Sequence, residues 1–256
     1  MTTVPLRRMA EVNPAAPEFD LLPKDLPITF MPLETVWPDG KADTTRRATV
    51  GSVASGYTRF QRGDVILPKI TPTFEAGRVF VANIETPVGA ATTEVHGLRA
   101  RPGVDSRFLS YACRSQLFLQ EGHKSLQGVG NLRRVSPDFV SSFPVVEFSS
   151  DEQCAIADYL DRETALIDTL IVKQEQLIAT LREHHSATIT RVITKGLDPR
   201  ANIAETGDPS IGAAPSHWRL CRLKHVAASI IGLTYSPDDI VDSASEGMLV
   251  VRAGNI

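Results

Sequence analysis

The stretch Asp151–Leu197, DEQCAIADYLDRETALIDTLIVKQEQLIATLREHHSATITRVITKGL, carries no proline, and no glycine before Gly196. Its apolar residues recur at helical spacing. Ser150, Asp151, Glu152 and Gln153 read as a capping box, with Ser150 bonding the Gln153 amide and Gln153 bonding back. Lys195, Gly196 and Pro199 supply the matching stop signal. At 1.5 Å per residue the helix spans roughly 65 Å, about twice the width of a small domain. One core cannot bury it. The expectation is a spacer helix over 151–197, one half of a coiled coil, rather than a long helix packed along its own domain.

The heptad pattern points the same way. Ile156, Leu160, Ile167, Leu170, Leu177 and Leu181 form a seam for a partner, flanked by Leu166, Ile171 and Ile178. Gln174 and His184 interrupt it, and polar residues at such positions fix register at a cost in stability.

Working back toward the N-terminus, short apolar runs alternate with turn residues. Ile28–Leu33, Asp64–Leu67 and Arg78–Ala82 read as strands, with Arg62-Gly63-Asp64 as the turn entering the second. Phe108 through Leu119 has helical periodicity behind a cap at Asp105-Ser106. The fold class is α+β: a mixed domain over 1–150, large enough for its own core, followed by the long helix.

Composition is that of an ordinary globular protein: 256 residues, 42% hydrophobic, 22% charged. The first 20 residues lack a signal-peptide pattern, and no apolar run approaches 18 residues, so neither secretion nor membrane insertion is indicated. Cys113, Cys154 and Cys221 are odd in number and widely spaced, which fits reduced thiols in the cytoplasm and no metal or disulfide framework. The net charge of −3 hides an asymmetry. Residues 1–150 hold 17 Lys/Arg against 15 Asp/Glu, and residues 151–256 hold the remaining 10 against 15. Within 99–134 lie Arg99, Arg101, Arg107, Arg114, Lys124, Arg133 and Arg134 against only Asp105 and Glu121. Such an excess can serve phosphate contacts or can be a solvated face.

The helix also carries a family resemblance. Glu152-Gln153, Ile156-Ala157, Tyr159-Leu160-Asp161, Thr164, Ile167-Asp168, Leu170-Ile171, Lys173 and the run Val192–Leu197 closely resemble the spacer helix of type I restriction–modification specificity subunits. Those proteins alternate two target recognition domains with two long helices that pack side by side as a ruler. Two loops resemble the family's recognition domain. Lys69-Ile70-Thr71-Pro72-Thr73-Phe74-Glu75-Ala76-Gly77-Arg78 is similar to its Ile-Thr-Pro-x-x-Glu-x-Gly-Lys loop, with Arg78 where Lys is more usual. Gly128 through Val135 is similar to its Gly-x-x-Gly-Gln-x-Arg-Val segment, with Asn131 replacing Gln. The resemblance implies DNA contact by Lys69, Thr71, Arg78, Asn131, Arg133 and Arg134. Arg can grip guanine and Asn can bridge adenine edges, although each loop alone reads equally as a turn with exposed charges.

Internal repetition extends this reading. Leu6-Arg7-Arg8-Met9-Ala10 recurs in kind as Leu223-Lys224-His225-Val226-Ala227, and Met31-Pro32-Leu33 echoes roughly in Met248-Leu249-Val250, both at an offset of 217. Residues 198–217, with Pro199, Pro209, Gly212 and Pro215, read as a linker. Residues 218–256 read as the incomplete start of a second recognition domain, so the expectation is a fragment or a truncated product.

Catalytic motifs are absent. There is no Gly-x-x-x-x-Gly-Lys loop and no methyltransferase signature. Pro137-Asp138 followed by Glu147 has Ser149 where a nuclease lysine would stand. His184-His185 lack metal spacing. The resemblance therefore implies a non-catalytic cytoplasmic subunit, itself without cofactor, reading one half of a bipartite duplex target. It would scaffold methyltransferase subunits, with restriction subunits joining through the complex. S-adenosylmethionine, ATP and Mg would belong to those partners. A single spacer helix could also support a self-dimer. The competing expectations are a coiled-coil protein-interaction adaptor without DNA binding and, more remotely, a nuclease with an unrecognised site.

Overall fold

The computed structural model describes residues 2–228, so the Met248-Leu249-Val250 echo lies outside the described residues. Two compact units divide within the long helix, Met1–Val172 and Lys173–Ile256.

Among the described residues the first unit holds ten strands: β1 (Thr3–Pro5), β2 (Ala10–Val12), β3 (Pro27–Met31), β4 (Arg47–Thr49), β5 (Thr58–Gln61), β6 (Val65–Pro68), β7 (Phe80–Val81), β8 (Val88–Ala91), β9 (Val95–Ala100) and β10 (Pro144–Val146). One sheet runs β2-β9-β6-β7, antiparallel throughout, with Val65 opposite Leu98. The other runs β4-β3-β8-β5, with β3 and β8 parallel. β1 closes the unit by pairing with β10.

β6 is buried along its whole length because it faces two cores. Val65 and Leu67 point into the larger one, with Leu6, Leu98, Leu109 and Phe118. Ile66 points the other way, with Met31, Phe60 and Phe80, between the two sheets. A continuous apolar run is what a strand covered on both faces requires. A third cluster, built on Phe19, Ile28, Val50 and Val88, fills the far side of the second sheet. At Gly89 the Phe60 ring lies where a Cβ would stand, 2.4 Å away, so only glycine lets that ring pack onto β8.

The single helix expected over 108–119 is two helices, α1 (Ser106–Arg114) and α2 (Gln116–Ser125). Asp105 caps the first, accepting from the Arg107 and Phe108 amides. Ser115 interrupts the run because its hydroxyl accepts from the Phe118 amide and starts a new helix. The expected strand at Arg78–Ala82 shortens to Phe80–Val81. A short helix, α3 (Pro137–Ser142), precedes β10.

The long helix α4 spans Ser150–Lys195, 46 residues or about 70 Å. Its capping box sits one residue earlier than expected. The Glu152 carboxylate accepts from the Ser149 amide at 2.8 Å, and the Glu152 amide donates to the Ser149 hydroxyl at 3.3 Å. Gln153 is thereby released for tertiary work. It is buried, accepts from the Asp105 amide at 3.1 Å and donates to the Phe148 carbonyl at 2.9 Å. Ala157 is fully buried and Ile156 packs against the large core, whereas Ile167, Leu170, Leu177 and Leu181 are exposed.

In the second unit a hairpin of β11 (Ile203–Glu205) and β12 (Ala213–Pro215) occupies the stretch read as linker. The repeated motif folds alike in both places. Leu6–Arg8 and Leu223–His225 are each a single 3-10 turn, entered from extended Pro5 and Arg222. Each closes on the carbonyl of its leucine, from Met9 at 2.8 Å and from Val226 at 3.0 Å.

Candidate nucleic-acid interface

The two glycine-bearing loops meet. An isolated antiparallel bridge joins Ile70 to Arg134, and a second joins Gln127 to Arg134. The Val135 amide donates to the Lys69 carbonyl at 2.9 Å, and the Thr71 amide donates to the Arg133 carbonyl at 2.9 Å. Gly128 makes the tight return possible. Its φ is +122°, and a Cβ there would lie 3.0 Å from the Leu132 carbonyl oxygen, backbone that cannot yield.

This pairing brings Lys69, Thr71, Arg133 and Arg134 together, yet their side chains differ in what they can offer. The Arg134 guanidinium forms a two-point pair with Glu94, both contacts at 2.8 Å, and also donates to the Leu132 carbonyl at 2.9 Å. That bonding holds the Glu94 carboxyl below its ordinary range. Thr71 is buried and its hydroxyl reaches the Arg133 carbonyl at 3.3 Å, so it braces the loop. Arg133 reaches only as far as Glu75, at 3.7 Å, and that carboxylate is held more closely by His123 at 2.6 Å. Lys69 has no salt bridge among the described residues. Arg78 is half-buried and donates to the Val36 carbonyl at 3.1 Å, away from the paired loops. Asn131 stands in the 3-10 turn Gly130–Leu132, and its side chain lies outside the described residues.

Beneath the loops lies a residue that sequence reading passed over. His96 on β9 is buried, with Nε2 3.1 Å from the Val135 carbonyl and Nδ1 3.1 Å from the Asn13 amide nitrogen. Burial pushes its pKa below the usual histidine value, with the Lys69 charge adding to this, so the imidazole is neutral near pH 7. The neutral ring donates from Nε2 to the carbonyl and accepts at Nδ1, tying the second loop to the end of β2. No sequence signal marked it, because a lone histidine in a strand has no motif.

The arginine excess at 99–134 is mostly internal. Arg99 makes a two-point pair with buried Asp64, both contacts at 2.9 Å. Arg107 bonds Asp105 at 2.9 Å, Asp158 at 2.7 Å and Asp161 at 2.8 Å, joining α1 to α4. Arg101 donates to the Arg7 carbonyl at 3.1 Å, and Lys124 pairs with Glu121 at 2.6 Å. On the same flank of α4, Asp168 receives Lys41 at 2.6 Å. These contacts build the domain rather than leave a cationic face for a ligand.

Among the described residues no group of three or more His, Cys, Asp or Glu side chains could hold a metal ion, and no helix is long and apolar enough to cross a membrane. No protein-family model matches the chain. Two relatives from Escherichia coli are similar to most of it: the type I restriction enzyme EcoEI specificity subunit, 28% identical over 73% of this chain, and the EcoAI specificity subunit, 27% identical over 79%. The chain spans about a third of the length of these relatives, 31% and 34%. Among solved structures, the HsdS subunit from Thermoanaerobacter tengcongensis shares the fold at 15% identity, with a TM-score of 0.57 over 82% of this chain and 57% of that one.

Proposed function

We propose that the chain is a specificity subunit of a type I restriction–modification system, like the relatives it resembles, in which residues 1–150 read double-stranded DNA while α4 carries the docking surface for methyltransferase subunits. The observation that supports DNA reading best is the pairing of the two loops through Ile70 and Arg134, which brings Lys69, opposite Val135, and Arg133, opposite Thr71, into one two-stranded segment from sequence-distant backbone. Lys69 and Arg133 are the phosphate-gripping residues of this reading, being the cations of the paired segment that form no close carboxylate pair among the described residues. Base readout falls to Asn131, Arg78 being engaged with the Val36 carbonyl away from the paired loops, and Arg134 with Thr71 holds the loop in shape. Phosphate contacts supply affinity and base-edge contacts supply preference.

The chain itself is non-catalytic on this reading and needs no cofactor. Methyl donor, ATP and Mg act on the methyltransferase and restriction subunits that assemble with it in the cytoplasm. The exposed run Ile167, Leu170, Ile171, Leu177, Ile178 and Leu181 supports the docking role, since one apolar stripe on a long helix suits a packed partner helix.

Salt-dependent duplex binding tests the reading. The purified chain, alone and mixed with a type I methyltransferase subunit, is titrated against a randomised duplex pool at several salt concentrations. The expected result is a steep decline of affinity with salt, its slope reduced by about one in Lys69→Ala. Binding that is absent, or flat with salt, overturns it and leaves the protein-adaptor reading.

A further inference from the structure

Lys69 lines two open clefts. One, about 360 Å³, runs along Gly128, Arg134 and Ser136. The other, about 450 Å³, runs along Asn13, Tyr57, Thr58 and Arg59. Their floors are joined as well, because His96 belongs to the first, Asn13 to the second, and the two side chains are hydrogen-bonded. The carboxylates beside this surface are occupied. Glu94 is held by Arg134, and Asp20 is held by Arg59 at 2.7 Å. The Lys69 ammonium therefore stands where the two clefts meet, without a salt bridge of its own among the described residues, although its charge reaches Glu94.

The far wall of the second cleft is the turn Ser55–Thr58. Gly56 has φ of +78° and nothing within 4 Å of its Cβ position, so this side of the turn is unobstructed by the described residues. Arg59 is committed to scaffolding: it bonds Asp20 and the Ala54 carbonyl and lies 4.3 Å over the Phe19 ring. Tyr57 is different. It is 39% exposed, and its ring is held edge-on against Phe30 at 5.4 Å and 85°. A braced tyrosine offers large contact area at little conformational cost, and its hydroxyl both donates and accepts.

Given the DNA-binding reading above, on which this rests, we propose that Tyr57 is a specificity-determining residue whose hydroxyl bonds a base edge of the duplex that Lys69 holds by its phosphates. The recognition surface thus has three walls rather than two: the Lys69–Arg78 loop, the Gly128–Val135 loop and the Ser55–Thr58 turn.

The test selects bound sequences from a randomised duplex pool using the full chain, alone or with a methyltransferase subunit, and compares wild type with Tyr57→Phe, Tyr57→Ala and Lys69→Ala. Tyr57→Phe keeps the contact with Phe30 and removes only the hydroxyl, so it carries the test even where Tyr57→Ala fails to fold. Loss of about fivefold or more in discrimination at one or two adjacent base pairs is expected for Tyr57→Phe. Lys69→Ala should weaken all sequences alike. An unchanged base preference in Tyr57→Phe, in a chain that still binds duplex with Lys69-dependent affinity, overturns the assignment of Tyr57 and leaves DNA reading intact. Absence of salt-dependent duplex binding in the wild type removes the DNA reading itself, and this proposal with it.

Discussion

Gln153, Ile156 and Ala157 lie on the same helix as Leu170, Leu177 and Leu181, and Ile156 belongs to the same heptad seam, yet the two groups live in different surroundings. The first three are buried or packed against the core of residues 1–172, and Gln153 ties the helix start to the Asp105 amide and the Phe148 carbonyl. The last three are each at least half exposed. The same contrast recurs in the repeated turns, where Leu6 is fully buried and Leu223 is 76% exposed although both close the same 3-10 hydrogen bond. Local pattern fixes the element and its apolar side. It does not say what covers that side.

The largest effects should separate the two stretches of the helix. Ala157→Asp places an uncompensated charge in the core and should cost about 3–5 kcal/mol. Leu170→Asp combined with Leu177→Asp should change folding stability by no more than about 0.5 kcal/mol per site. That double variant should nonetheless abolish association with a methyltransferase subunit or with a second copy. Urea unfolding paired with size-exclusion profiles measures both, and equal destabilisation by the two variants would erase the distinction drawn here.

The two turns allow the same contrast at the next scale. Leu6→Ala should cost about 2–5 kcal/mol, the range for a buried leucine that leaves a cavity. Leu223→Ala should cost about 0.5 kcal/mol or less. A large effect at Leu223 would mean that its face is covered in solution, and the pairing of these turns would then be structural as well as local.

The smallest effect sharpens the helix start. Ser149→Ala removes the cap and should cost about 1 kcal/mol, whereas Thr180→Ala, far along the helix and bonded only to the Gln176 carbonyl, should be near neutral. Bonding from the Ser149 amide and hydroxyl holds the Glu152 carboxyl below its ordinary range. A depressed carboxylate adds stability above its unfolded pKa and loses it as pH falls through the folded one. The melting temperature should therefore fall on acidification below about pH 4.5, and less steeply in Glu152→Gln. Identical pH profiles would remove the capping box.

Several features were legible in advance because they depend on neighbours in sequence. The long helix, its stop at Gly196, the Gln61–Asp64 turn before β6 and the Asp105 cap are set by backbone propensity and by side chains within four residues. The displaced capping box was legible only to within one residue, since Ser149 and Ser150 could each have served as the cap and packing of Gln153 selected the first. The break at Ser115 comes instead from its own hydroxyl capping α2. The two glycine-bearing loops were legible as motifs, but not their convergence. Ile70 and Arg134 are joined only by the fold. His96 and Tyr57 carried no sequence signal, since a single ring in a strand or turn is informative only through what surrounds it.

By itself the sequence determined the α+β domain, the spacer helix and the phase of its apolar stripe, because helical period and capping are properties of residues close together along the chain. The tertiary structure alone decided which charges remain available. Arg99 is neutralised by Asp64, Arg107 by Asp105, Asp158 and Asp161, and Arg134 by Glu94, leaving Lys69 without a salt bridge among the described residues and Arg133 only loosely held. Most of those partners are tens of residues away, and an ion pair forms by distance in space, which no local pattern records.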